Sequence, residues 1–384
     1  MRRAIIIGGG PIGLLCAALL ARRRIDCCVL DAKPLEQARR DDRLLALSRG
    51  TWEILTPVLG AQLPPRAAIR EVYISSAGDF GATAISSSDF DGADLGATVL
   101  YGDLLAALAA SVAAQPAIEV LRPATAAGVQ QRPDRVEVLL ADGTVLSADV
   151  AVHAEGIAPL PDTAARPTDD WALLADVRLR PAREDLPAGV AYERFTRSGP
   201  LALLPTPRAL GTGAGRTWSL VWCMGQAQAR RRSQLPDDAL LAELQTQVGH
   251  RIGEVAAIGP ARAVALPRRL RQQVHQHRVV ALGNAAQTLH PVAGQGFNLG
   301  VRDCATLASE LAQEKPIAEA LDGYARRRRV DRHAIATLTG ALPAVFASRF
   351  GPLAVARGLG LALLDAAPPL RRELAQLLMF GVRS

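Results

Sequence analysis

The chain has little cysteine and almost no lysine, and it lacks a long apolar run. Its five cysteines, at 16, 27, 28, 223 and 304, show no Cys-x-x-Cys spacing and include an adjacent pair inside an apolar run. That pattern excludes a disulfide framework and a zinc site, and it fits a reducing cytoplasm. The six histidines (153, 250, 275, 277, 290, 333) form no metal-binding array, and His275-x-His277 reads as a solvent-facing pair, so no metal is expected. Lysine occurs only at 33 and 315, so the formal charge of +7 is carried by arginine. Such a bias reflects genome composition more than a polyanion-binding surface, and no nucleic-acid partner is expected. The clusters Arg22-Arg23-Arg24, Arg230-Arg231-Arg232 and Arg326 to Arg329 read as solvated helix faces or ends. No stretch of about 18 apolar residues is free of charge, so no membrane span is predicted. Arg2-Arg3 before an apolar stretch is only superficially like a signal peptide, because three glycines interrupt it and no small-residue cleavage site follows.

What is present is an ordinary globular composition, 49% hydrophobic and 21% charged, in 384 residues. That length exceeds one hydrophobic core, so two domains are expected, burying roughly three quarters of the unfolded surface.

The N-terminus carries the first specific motif. Ala4-Ile5-Ile6-Ile7 is a continuous apolar strand, followed by Gly8-Gly9-Gly10-Pro11-Ile12-Gly13, a G-x-G-x-x-G through Gly8, Gly10 and Gly13. Leu14 to Ala21 reads as a helix, Cys27 to Leu30 as a second strand, and Asp31 ends it. The first glycine makes the turn, the second lets backbone amides reach a pyrophosphate, the third lets helix and strand pack, and the acid takes ribose hydroxyls.

Asp41-Asp42-Arg43 then opens a predicted helix running to about Leu55. Arg43 at its mouth is either a surface end charge or a planar cation placed against a cofactor. Glu71 to Ser76 reads as a strand, and Gly78 to Gly96 as an irregular surface excursion. Leu104 to Ala113 is an apolar-periodic helix. Strands follow at 118–121, 126–130, 136–140 and 145–147, and Asp149 to His153 returns to the sheet, ending in Ala154-Glu155-Gly156. That end is either a strand-to-loop corner or a second backbone contact near a cofactor. Pro159 to Thr168 reads as a domain crossing. From 171 to about 271 strand-like stretches (171–179, 189–195, 201–204, 217–222) separated by Pro- and Gly-bearing turns suit an antiparallel sheet, with a hairpin loop at 211–215 and a helix at Asp237 to Val248. Val279 to Leu282 is an apolar strand that stops at Gly283, and a Pro- and Gly-containing loop, 287–300, precedes helices at 301–311 and 318–329. The backbone of that loop can approach a flat ligand closely. The tail to Ser384 is helical and apolar.

Together these motifs resemble the class A FAD-dependent aromatic hydroxylases, in their ubiquinone-biosynthesis branch. The resemblance is carried by Gly8-x-Gly10-x-x-Gly13 with Asp31, by Asp41-Asp42-Arg43 with Ala46-Leu47-Ser48, and by Gly283-Asn284-Ala285-Ala286 with His290-Pro291 and Gly294-Gln295-Gly296-x-Asn298-Leu299-Gly300. Segments at 193–196, 199–205 and 219–223 add to it. It implies an α/β (α+β) fold similar to that of p-hydroxybenzoate hydroxylase, with an inserted antiparallel-sheet substrate domain and C-terminal helices. The expected division is a Rossmann-like FAD-binding domain of 1–70, 98–166 and 272–325, a substrate domain of 71–97 and 167–271, and a C-terminal helical region of 326–384.

By the same resemblance Gly8, Gly10, Pro11, Ile12 and Gly13 cradle the FAD pyrophosphate, Asp31 takes the adenosine ribose and Arg43 contacts the cofactor. Asn284, where most relatives have Asp, hydrogen-bonds the ribityl or pyrophosphate region; an amide keeps a donor and an acceptor but loses the charge. Pro291, Gly294, Gln295, Gly296, Phe297 and Asn298 line the flavin ring. Glu155 departs from the family's Ala-Asp-Gly wording.

The implied reaction uses NAD(P)H and O2 to hydroxylate a polyprenylated phenol through a flavin hydroperoxide, so the cofactor supplies the difficult chemistry and no protein nucleophile is needed. His290 is read as structural rather than catalytic. Such a substrate implies a cytoplasmic protein peripheral to the inner membrane, touching a membrane surface or partner proteins of ubiquinone biosynthesis; a homo-oligomer is also compatible. The apolar stretch Leu353 to Leu364 reads either as a bilayer-surface helix or as one packed on the domain or in a dimer. Two alternatives remain, a non-catalytic FAD-binding organiser of a biosynthetic complex and another flavin-dependent oxidoreductase of the same fold. The halogenase version lacks the W-x-W-x-I-P segment.

Overall fold

The structure, a computed structural model, describes all residues except 1, 79, 157–168, 182–187, 212–214, 292–293, 348–350 and 383–384. The expected crossing at 159–168 and the centre of the loop at 211–215 lie outside the described residues.

The apolar runs near the N-terminus build one sheet. Its six strands lie in the order His275–Gln276, Val279–Ala281, Val150–His153, Arg3–Ile7, Asp26–Leu30, Ile118–Leu121. All neighbours are parallel except the first pair. Parallel strands are covered on both faces, which is why Ala4 to Ile6 and Cys28 to Leu30 read as unbroken hydrophobic runs and are buried at 1% exposure or less. One face packs on helices Pro11–Ala21, Tyr101–Ala113 and Gln295–Leu311 through Leu14, Leu15, Leu105, Val301 and Leu307. On the other, Ile5, Ile7, Cys28 and Leu30 pack on Val136, Val138 and Leu140 of the three-stranded antiparallel sheet Ala126–Gln131, Val136–Leu140, Val145–Ala148.

A second, eight-stranded sheet runs Gly253–Ile258, Asp170–Pro181, Arg216–Gly225, Gly199–Pro205, Val190–Thr196, Glu71–Ser76, Ala82–Ser86, with Arg262–Ala265 also paired to Asp170–Pro181. It is antiparallel apart from the pairing of 190–196 with 71–76. Alternate residues Leu173, Val177, Leu201, Leu203, Leu220 and Trp222 bury one face under helix Asp237–Val248. The opposite face meets helix Ile317–Ala347, where Phe346 stacks on Phe195 with centroids 3.9 Å apart.

Four expectations are corrected. Residues 44–48 form a strand, not the start of a helix, because Leu44–Ser48 pairs with Gly96–Leu100 and the Ser48 hydroxyl accepts from Thr51 N. A side-chain cap at Ser48 starts the helix at Arg49, ending at Leu59. Residues 78–96 are not wholly irregular: 82–86 extends the large sheet. The helix expected at 301 begins at Gln295, six residues earlier, and the one expected at 318–329 continues to Ala347. Finally, the arginine clusters are not all solvated. Arg22 to Arg24 are exposed, but Arg328 (5% exposed) and Arg232 (7%) are buried, the second over the Trp222 ring at 3.9 Å.

Helices Gly351–Ala366 and Pro368–Phe380 follow. The first lies on strand 82–86, with Gly358 against the Phe80 ring and Leu361 buried. Its outer side shows Val355, Leu359 and Leu363 at 51, 58 and 59% exposure. Among the described residues no helix is long and apolar enough to cross a membrane.

Candidate active site

Because five neighbouring strands of the sheet are parallel, their carboxyl ends open on one edge, where ligands of such sheets bind. Gly8, Asp31, Ala154 and Leu282 each follow one of these strands, tied by Gly8 N to Leu30 O (2.8 Å), Ala154 N to Ile7 O (2.7 Å) and Leu282 N to His153 O (2.9 Å).

Steric demand explains the glycines. Gly8 has φ +110°, and a Cβ there would lie 2.5 Å from Ala154 C; one on Gly10 would lie 2.9 Å from the Tyr101 hydroxyl. A Cβ on Gly9 would strike Arg122, and one on Gly13 would run into the Gly8 carbonyl oxygen. Helix 11–21 starts with Gly10 as its N-cap and Pro11 at the first turn, and no side chain caps it. Its first-turn amides, including those of Ile12 and Gly13, are therefore left without a side-chain cap and can receive an anion.

Asp31 receives Gly9 N at 2.8 Å and Lys33 N at 2.8 Å, and it pairs with Arg122 at 3.0 Å. Arg122 also donates to Gly9 O at 2.7 Å. Sequence reading missed Arg122, which lies beyond the fingerprint and reaches Asp31 only through the adjacency of strands 26–30 and 118–121. Glu155 pairs with His153 Nδ1 at 3.0 Å beside Gly8.

Arg43 lies over the Tyr101 ring at 4.3 Å and pairs with Asp41 at 3.1 Å, half exposed. The turn Gly283–Ala285 places Asn284 exposed between buried neighbours. Gly294, left-handed at φ +59°, is the N-cap of helix 295–311, and a Cβ there would lie 2.9 Å from Ala46 Cβ. Gln295, Gly296, Phe297 and Asn298 thus form a helical first turn rather than an extended loop. Asn298 uses its whole amide to join that turn to the 44–48 strand. Its Oδ1 accepts from Ser48 N (3.0 Å) and Thr51 Oγ1 (2.7 Å), and its Nδ2 donates to Ala46 O (3.2 Å) and Gly294 O (2.9 Å). Gln295 is buried and donates to Leu378 O at 3.1 Å, and Phe297 packs on the main core. Gly296 differs: a Cβ there meets no described atom within 4 Å, so it borders open space.

His290, beside the half-buried Pro291, is 3% exposed. Burial first, and then the Arg268 charge, push its pKa down to about 4, so it is neutral in ordinary buffers. His275, expected to face solvent, is largely covered and sits 3.3 Å from Asp322, while His277 is exposed.

Residues 6–34 match the NAD(P)-binding Rossmann-like domain family, and residues 164–338 match the FAD binding domain family. The ubiquinone hydroxylase UbiL of Rhodospirillum rubrum is 29% identical over 96% of this chain and 87% of its own length. The 3-demethoxyubiquinol 3-hydroxylase of Escherichia coli is 29% identical over 70% of this chain and 68% of its own. Among solved structures, Pseudomonas aeruginosa PqsL in complex with 2-aminobenzoylacetate shares the fold, with a TM-score of 0.75 and 22% identity over 94% of this chain and 99% of that one.

These matches support an FAD-dependent aromatic-ring monooxygenase, a flavoprotein with FAD as its cofactor. Both relatives are hydroxylases of ubiquinone or a ubiquinol precursor by name, and the chain is similar to them over 96% and 70% of its length.

Proposed function

We propose that this chain hydroxylates the aromatic ring of a polyprenylated phenol in ubiquinone biosynthesis. In this reading the uncapped amides of Ile12 and Gly13, with Gly8 and Gly10, hold the FAD pyrophosphate, and the Asp31–Arg122 pair faces the adenosine ribose. Arg43 and Asn284 flank the middle of the cofactor. Pro291 and the first turn Gly294 to Asn298 border the ring. Bound FAD supplies reductive activation of O2 by NAD(P)H for transfer of one oxygen atom to the ring. The protein orients the phenol, excludes water and keeps the neutral His290 beside the ring site as a hydrogen-bonding wall.

The observation that carries the lipid substrate is the outer side of helix 351–366. Val355, Leu359 and Leu363 recur every fourth residue and are all more than half exposed, on a helix tied through Arg357 to the Val345 and Phe346 carbonyls above the large sheet. An apolar stripe on the outer side of a helix that lies on strand 82–86 of the large sheet suits a lipid surface from which a prenyl chain is taken. The exposed Arg372 nearby favours an anionic one.

Two experiments test this reading. Expression in a hydroxylase-deficient quinone-producing cell should restore the quinone, and mass spectrometry of the deficient cell should show the phenol precursor that accumulates. A protein that binds FAD yet restores nothing, with turnover on no prenylated phenol, would overturn the substrate assignment. Flotation with vesicles containing anionic phospholipid should be lost in Leu359→Asp/Leu363→Asp, and equal flotation of that variant would sink the membrane reading.

A further inference from the structure

We infer that Gln287 is a positioning residue for the cofactor, acting through the turn that carries Asn284. Its side chain is fully buried between two opposite charges. Nε2 donates to Asp303 Oδ2 at 2.7 Å, and Oε1 accepts from Arg332 Nε at 2.6 Å. A carboxylate only accepts and a guanidinium only donates, so the amide has one orientation available to it.

The two charged partners grip the turn as well. Asp303 Oδ2 accepts from Gly283 N at 3.2 Å, and Arg332 donates to Ala286 O at 3.3 Å and to Arg271 O at 3.0 Å. Gly283 and Ala286, the ends of the turn, are thereby held by helix 295–311 and helix 317–347, and Gln287 joins the two grips. Asn284 is the exposed residue between them. On the other side Gly283 packs on Ile12, with 3.4 Å from its Cβ position to Ile12 Cγ2, so the clamp also fixes the distance from Asn284 to the amides that begin helix 11–21.

The charge balance of the cluster shows why an amide is needed there. Asp303 is paired with Arg328 at 2.7 Å, and Asp331 with Arg302 and Arg328 at 2.8 and 2.7 Å. Arg332, 3% exposed, has no carboxylate within ion-pair distance among the described residues and spends its donors on Gln287 and two carbonyls. An apolar side chain at 287 would fill the volume but leave the turn free to shift between its two grips. Buried polar networks that are fully satisfied specify a single geometry.

This inference rests on FAD occupying the edge described above. The test titrates apoprotein with FAD by fluorescence and records the visible flavin spectrum. Gln287→Met, similar in length, should weaken FAD binding at least tenfold and shift the flavin bands. Asp331→Asn lies in the same buried cluster but accepts from Val382 N at 3.1 Å rather than from the turn, so it should lower the thermal midpoint while FAD affinity stays within twofold. FAD affinity and spectrum unchanged in Gln287→Met, or an equal loss of affinity in Asp331→Asn, would overturn the assignment. Should Gln287→Met fail to fold, hydrogen exchange on the unaltered apoprotein decides. The Gly283 amide should be protected before FAD is added, and free exchange there until FAD binds refutes a preformed clamp. Failure of the unaltered chain to bind FAD would instead sink the cofactor site itself.

Discussion

Replacing Arg328 by Met tests the buried ion cluster beneath the cofactor edge. The guanidinium is 5% exposed and donates to Asp303 at 2.7 Å, to Asp331 at 2.7 Å and to Leu299 O at 3.4 Å. Its removal leaves Asp303, fully buried, and Asp331, 2% exposed, with Arg302 as the one remaining ion-pair partner among the described residues. Breaking a buried pair by deleting one partner costs about 3–5 kcal/mol, because the other charge stays desolvated. With an unfolding entropy of roughly 2 cal/mol/K per residue, that corresponds to a fall in Tm of about 4–6 °C if the chain unfolds as one unit. The loss should also depend on pH. Burial opposes ionisation of Asp331, but Arg302 and Arg328 outweigh it and hold its carboxyl below the usual range. A carboxyl depressed in the folded state stabilises above its unfolded pKa, and that stability is lost as pH falls through the folded value. The unaltered protein should therefore lose stability on acidification more steeply than Arg328→Met. Differential scanning calorimetry across acidic and neutral buffers reads both quantities. A drop below about 1 kcal/mol with an unchanged acid limb would refute the claim that this cluster is held by charge pairing, since it would match the worth of a surface pair.

Gly13→Ala should abolish FAD retention, because its Cβ runs into the Gly8 carbonyl oxygen; a purified variant as yellow as the parent would contradict the cradle. Gly296→Trp should block the ring site while leaving apoprotein stability nearly intact, since that Cβ position faces open space; an unaltered flavin spectrum would place the ring elsewhere. Asp31→Asn should weaken both the Gly9 contact and the Arg122 pair, lowering FAD affinity by about 1.5–3 kcal/mol, as expected for a charged hydrogen bond. His290 has its pKa lowered from 6.5 to about 4, so it contributes stability above 6.5 that fades as pH falls toward the folded value; His290→Asn should flatten that part of the stability profile, and an unchanged slope between those values would show that His290 does not cause it.

Local chemistry made part of this protein readable in one dimension. The glycines at 8, 10 and 13, the apolar strands around them and the acid at 31 lie within one strand-helix-strand unit, so their spacing alone carries the steric demand. Sheet strands and the helix at 237–248 were legible for the same reason, because alternation and helical periodicity are short-range patterns. The strand at 44–48 was not. Leu44 to Leu47 carries no alternation, and its partner at 96–100 is far away in the chain; Ser48, able to cap, was the signal for a helix starting at 49. Arg326 to Arg329 looked like one solvated run. Only the approach of helix 295–311 turns Arg328 inward to Asp303 and leaves Arg326 and Arg329 outside, since burial of a charge is decided by whether a carboxylate is brought to meet it. Asn298 was read as a lining residue from its motif, and its place beside the ring site remains part of the proposal. That its side chain is spent on joining two segments about 250 positions apart could be seen only when helix 295–311 was packed on strand 44–48. The sequence by itself determined where backbone amides can gather; the tertiary structure decided which charged and amide side chains hold that gathering in place, because their partners come from distant segments.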